Sequence, residues 1–120
     1  MTGSGRNHQS GLAAEETAAL DYKRRGAKIL EQRWRCAEGE IDLIVQDGTE
    51  IVFVEVKARK TRDTAAGSIS ARQWARIGRA AMIYLAEHAS PDTPCRFDAF
   101  LVDGTGQGER LENAASFDEW

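Results

Sequence analysis

The sequence predicts an α/β domain of order α-β-β-β-α-β, with a mixed central sheet flanked by helices. Three observations point there. Asp47-Gly48 separates two β-branched runs, an apolar stripe at helical spacing runs from Trp74 to Leu85, and a further apolar run spans Arg96 to Asp103. At 120 residues, one compact core is expected and a second of full size is not. Hydrophobic residues make up 42% and charged residues 29%, a composition that supports both a core and a well-solvated surface.

Taken in order, residues 1–10 are rich in Gly, Ser, Thr, Asn and Gln and read as a flexible lead-in. Ser10 is a candidate N-cap for a first helix reaching about Arg25, where Gly26 would stop it. Leu12, Glu15, Ala19 and Tyr22 share one stripe of that helix. A carboxylate in that stripe is costly unless something binds it. Glu16 borders the same stripe, and the wheel does not choose between the two.

Ala27-Lys28-Ile29-Leu30 begins the first strand, which continues toward Trp34. Residues 40–45 and 50–56 form the two strands of a hairpin around Asp47-Gly48. The second helix begins near Ser70. It carries Trp74, Ile77, Ala81, Tyr84 and Leu85 on one face and Arg72, Arg76 and Arg79 on the other. After Pro91 and Pro94, Arg96 to Asp103 reads as a strand. The residues beyond Gly108 form a short ending that is either strand or helix.

Composition narrows the chemistry. Net charge is −3, which argues against a generally basic nucleic-acid coat, yet charge is unevenly spread. Between Lys57 and Arg79 lie seven basic side chains against Asp63 alone, whereas residues 92–120 hold seven acids against Arg96 and Arg110. Cys36 and Cys95 stand far apart without a CxxC partner, and His8 and His88 are the sole histidines. A zinc site and a disulfide framework are therefore not expected, and any metal would be a hard cation on carboxylates. No apolar run is long enough for a membrane helix, and residues 1–11 lack a signal-peptide core, so a cytoplasmic protein is expected.

Residues two apart on a strand share a face, so Glu55 and Lys57 emerge together, roughly 7 Å apart. If Asp47-Gly48 is a two-residue loop, Asp42 lies opposite Phe53 and Glu40 opposite Glu55. Asp42, Glu55 and Lys57 then project from one face with Glu40 beside them. Two buried carboxylates repel unless a cation joins them. A divalent ion on Asp42 and Glu55, with Lys57 at its flank, would suit phosphodiester hydrolysis. An E-x-K pair alone is weak evidence, since lysine on an edge strand also guards against aggregation. Asp42 across the hairpin, an acid on the preceding helix and the basic stretch after Lys57 strengthen it.

Gly39-Glu40-Ile41-Asp42-Leu43-Ile44 followed by Val52-Phe53-Val54-Glu55-Val56-Lys57-Ala58-Arg59 resembles the PD-(D/E)xK nuclease core. More narrowly, it resembles the YraN-like family of small uncharacterised bacterial proteins, related to Holliday-junction resolvases. The likeness extends to Glu15 and Ala18, to Arg72-Gln73, and to Arg96-Phe97-Asp98. It implies a restriction-endonuclease-like fold, with residues 11–120 as a single nuclease-like domain. It also implies Glu15 as the helix carboxylate, Asp42 and Glu55 as metal ligands, a backbone carbonyl ligand from Val56, and Lys57 as the catalytic lysine. The implied cofactor is magnesium, with manganese as the alternative.

The leading expectation is a metal-dependent, structure-selective nuclease acting on DNA. Arg59, Lys60, Arg62, Arg72, Gln73, Arg76 and Arg79 would contact nucleic acid, mainly backbone phosphates. No membrane partner is expected, and a symmetric cut of two strands would call for a homodimer. The alternatives are a non-catalytic nucleic-acid- or partner-binding module, and carboxylates that serve only the fold.

Overall fold

The structure, a computed structural model, describes residues 2–115; the side chains of residues 2–10 and of Arg62, Thr64 and Ala66 lie outside the described set. Its elements are α1 (Thr2–Arg24), β1 (Lys28–Cys36), β2 (Gly39–Asp47), β3 (Glu50–Ala58), α2 (Arg62–Gly67), α3 (Ala71–His88), β4 (Cys95–Val102) and β5 (Gly108–Ala115). The five strands form one sheet in the order β1-β2-β3-β4-β5. Only β3 and β4 run parallel, joined by the crossover through α2 and α3; the other pairs are antiparallel. This is the mixed α/β architecture the sequence predicts, consistent with a restriction-endonuclease-like core.

Two apolar layers sandwich the sheet. On one side Ala14, Ala18, Ala19 and Tyr22 of α1 pack on Leu43, Val45, Val52, Val54, Val56, Phe100 and Val102. On the other, Trp74, Ile77, Ala81, Tyr84 and Leu85 of α3 pack on Ile44, Phe53, Phe97 and Leu101. Strand alternation accounts for the division: Val52, Val54 and Val56 face α1, while Ile51 and Phe53 face α3. Each fully buried large apolar side chain contributes about 1.5–3 kcal/mol. The helix α3 starts where the sequence places it. Ser70 accepts a hydrogen bond from the Gln73 amide, and the Gln73 side chain accepts one from the Ser70 amide, closing a capping box.

Several expectations need correction. The first helix does not begin at Ser10 but runs through it, and nothing in residues 2–9 breaks a helix as proline would. The Ser10 side chain itself lies outside the described residues, as does the acidic ending at Asp118 and Glu119. The stop is as expected: Gly26 at φ 89 lets its own amide and that of Ala27 turn back to the carbonyls of Lys23 and Tyr22. The stretch between Ala58 and Ser68 holds the short α2, and the ending after Gly108 is an edge strand. His88, the last residue of α3, stacks on Tyr84 with ring centroids 4.4 Å apart.

The hairpin turn is displaced by one residue. Asp47 pairs with Glu50, so Gly48-Thr49 forms the loop, with Gly48 at φ 64 in the position a type II′ turn gives to glycine. Two acids facing each other across a turn would repel. Arg96 joins them, with Nη2 3.1 Å from Asp47 and Nη1 2.9 Å from Glu50. Gln46 therefore faces Ile51 rather than Thr49, and Ile44 rather than Asp42 faces Phe53.

Candidate functional site

The pairing of β2 with β3 ends at Leu43 and Val54. Continued by one residue, the same register puts Asp42 beside Glu55, and the shared-face relation survives because the turn shift preserves parity. The strands part there. Ile41 joins the α3 layer together with Ile44, whereas Leu43 joins the α1 layer, so simple alternation fails at Asp42. The Val56 amide, which has lost its ladder partner, donates to Asp42 Oδ2 at 2.8 Å. Val56 thus enters the site through its N–H, and its amide holds Asp42 in one orientation.

Asp42 belongs to two groups of acids. On one side are Glu15 of α1 and Glu40 of β2. Carboxylate oxygens of Glu15, Glu40 and Asp42 all lie within 4.8 Å of one another. On the other side is Glu55, which is 4% exposed and within hydrogen-bonding reach of Asp42. Lys57 Nζ stands 3.3 Å from Glu55 Oε2. Glu16, the rival of Glu15 on the helical wheel, is exposed, while Glu15 is half-buried. A cavity of about 110 Å³ opens on the group, with Glu15, Arg33 and Asp42 in its wall.

So many acids in a confined place are hard to ionise together. Burial, reinforced by the Asp42 charge, pushes Glu55 up to about 8, and Lys57 only partly offsets the rise. Burial and then Asp42 likewise push Glu15 up to about 7 against the opposing charge of Arg33. Burial also raises Asp42, with the Val56 hydrogen bond pulling the other way. The donor set consists of carboxylate oxygens, which suit a hard divalent cation.

Two members of this site escape a reading of the chain alone as principal actors. Glu40 was expected only beside the pair, yet it completes the group with Glu15 and Asp42. Arg33 gives no signal at all. It sits in β1 at φ 56, a conformation uncommon for a residue other than glycine, with Nε 3.4 Å from Glu15 and 3.8 Å from Glu40.

The basic residues divide by occupation. Arg59, Lys60 and Arg72 are exposed. Arg59 and Lys60 line, with Thr17 and Ala58, a cavity of about 420 Å³ at the C-terminal ends of β3 and β4. The Arg62 side chain is outside the described residues. Gln73 serves the α3 cap. Arg76 donates to the carbonyls of Glu38 and Glu40, at 3.4 and 3.2 Å, and Arg79 to the Glu38 carboxylate at 2.9 Å. Gly39 makes room for this: a Cβ there would meet Arg76 Nη1 at 2.5 Å. Two of the three arginines on that face of α3 are thus spent on the β1–β2 turn, which positions Glu40.

Residues 14–102 match the model of a family described as uncharacterised protein family UPF0102. Among similar proteins, a UPF0102 protein of Ruegeria pomeroyi is 52% identical over 112 residues, covering 91% of this chain and 89% of the relative. One from Cereibacter sphaeroides is 47% identical over 109 residues, covering 90% and 93%. One from Neisseria meningitidis serogroup C is 41% identical over 109 residues, covering 89% and 95%. Among the described residues, no helix is long and apolar enough to cross a membrane.

Proposed function

The chain belongs to the uncharacterised UPF0102, or YraN-like, family, and from its carboxylate geometry we propose that it is a divalent-metal-dependent nuclease that hydrolyses DNA phosphodiester bonds. The observation that carries this reading is the position of Asp42. It is shared between Glu15 and Glu40 on one side and the Glu55–Lys57 pair on the other.

Asp42, Glu55 and Glu15 would hold the ion, with magnesium as the physiological cation and manganese as its substitute. When bound, the ion lowers the pKa of water and neutralises charge on the phosphoryl oxygens. The rest falls to the protein. Val56 fixes Asp42 through its amide, and burial in the sheet fixes Glu55. Lys57, 17% exposed and anchored by Glu55, places its Nζ where negative charge grows as the phosphorus centre accepts a fifth oxygen. Exposed Arg59, Lys60 and Arg72 contact backbone phosphates, which favours recognition of DNA shape over base sequence.

The test is metal-dependent cleavage of branched DNA by the full chain, compared with Asp42→Ala and Lys57→Ala. Both variants are expected to lose at least about 10²-fold in rate. Equal rates in all three proteins, or metal-independent binding of DNA with no cleavage by the wild type, would contradict the assignment. The second result would indicate a binding module.

A further inference from the structure

The side chain of Arg33 lies where a metal-binding group has least need of a fixed cation. Its Nε is 3.4 Å from Glu15 and 3.8 Å from Glu40, so one guanidinium spans two of the three acids whose oxygens converge. Arg35, by contrast, is ion-paired among the described residues with Glu40 alone, and its side chain is 82% exposed. The Arg33 backbone is unusual as well. Its φ is 56, and the β1–β2 register is irregular between Ile29 and Glu31, just upstream. The ladder resumes on either side, with Gln32 opposite Leu43 and Trp34 opposite Ile41; Arg33 and Asp42 fall in the gap between those pairs. Irregularities of this kind re-aim a side chain and recur beside functional sites. A left-handed arginine costs free energy that an ordinary strand residue would not, so its contacts must offset that cost.

We infer that Arg33 is the resident counter-cation of the acidic group, holding Glu15 and Glu40 together until a divalent ion displaces it. This rests on the metal-dependent reading of the site. A guanidinium and a metal ion compete for the same carboxylate oxygens, because each oxygen lone pair aimed at one is withheld from the other. The ion-competent arrangement is then only part of the population, and the apparent affinity for metal falls by that fraction. Once released, the guanidinium stands at the rim of the cavity shared with Asp42, placed to meet a phosphate oxygen, which it binds through paired N–H donors.

The experiment is calorimetric titration of Mn²⁺ into the full chain at neutral pH and moderate salt. It compares wild type, Arg33→Asn and Arg33→Lys, without DNA. Asparagine tolerates the left-handed backbone and so removes the cation with little disturbance of the strand, while lysine keeps a charge within reach. Arg33→Asn is expected to bind Mn²⁺ roughly three- to tenfold more tightly than wild type, the range expected for releasing partly exposed ion pairs. Arg33→Lys should lie between them. Wild-type binding with equal or weaker binding in Arg33→Asn would overturn the role of Arg33 while leaving the metal site standing. No binding in any of the three would overturn the metal reading and this inference together.

Discussion

Two groups of charge, one toward each end of the β2–β3 hairpin, have opposite characters. Near the turn, Arg96 meets Asp98 at 3.0 Å, Glu50 at 2.9 Å and Asp47 at 3.1 Å. Asp98, fully buried, also accepts Tyr22 Oη at 2.6 Å and the Asn113 amide at 3.2 Å. Burial works against the Arg96 charge, but the hydrogen bonds and charges of Asp98 and its neighbours more than restore it. At the far end, Glu15, Glu40, Asp42 and Glu55 share Lys57 and the arginines of β1, and three of these acids are held above their ordinary range. The first group is closed upon itself and serves the fold. The second leaves its crowded acids incompletely compensated, and a group in that condition is suited to a ligand that supplies positive charge.

The comparison can be broken from either side. The largest effect is expected at the closed group: Arg96→Ala leaves a buried carboxylate without its cationic partner and should cost about 3–5 kcal/mol of stability. Denaturant unfolding measures this, and Mn²⁺ binding by whatever fraction remains folded should be unchanged. Glu55 should show the reverse pattern. Its carboxyl is raised from 4.5 to about 8 in the folded state, so its stabilising contribution is complete below pH 4.5 and lost as pH rises through 8. Glu15, raised to about 7, acts in the same direction. Metal-free protein should therefore lose on the order of a few kcal/mol between pH 5 and 8, and Glu55→Gln should flatten that slope while abolishing Mn²⁺ binding. A slope of the opposite sign, read from melting in chelator, would refute the buried-acid account.

Smaller effects sharpen the same contrast. Tyr22→Phe removes one donor from Asp98, which keeps Arg96 and Asn113, and should cost about 1–2 kcal/mol without altering metal response. Arg79→Ala breaks an exposed pair with Glu38 and should cost less than about 1 kcal/mol. A larger loss would mean that the β1–β2 turn depends on Arg79 as well as on Arg76.

Much of this was legible in the chain because it follows from periodicity. Alternation in residues 40–45 and 50–56 announces the hairpin, and the spacing of Trp74, Ile77, Ala81, Tyr84 and Leu85 announces α3 together with its buried face. Parity also brings Asp42 toward Glu55 whichever two residues form the turn. What stayed hidden depends on breaks in regularity. The turn moved to Gly48-Thr49 because Arg96, far along the chain, accommodates Asp47 opposite Glu50. The strand β5 lacks an apolar alternation and is held by edge pairing and by Arg110, whose guanidinium lies 5.4 Å from the Tyr22 ring centroid. Arg33 depends on a backbone conformation that its residue type disfavours, and Glu40 turns inward where β2 leaves its ladder. Such departures belong to tertiary structure, and they concentrate at the site.

The most direct test is a crystal of the full chain soaked in Mn²⁺ at pH 8 and measured at an anomalous wavelength. The account predicts a peak about 2.1 Å from an Asp42 oxygen, with Glu55 or Glu15 completing the ligands. An acidic group that remains free of metal, with Glu55 still beside Asp42 and Arg33 still on Glu15, would contradict it.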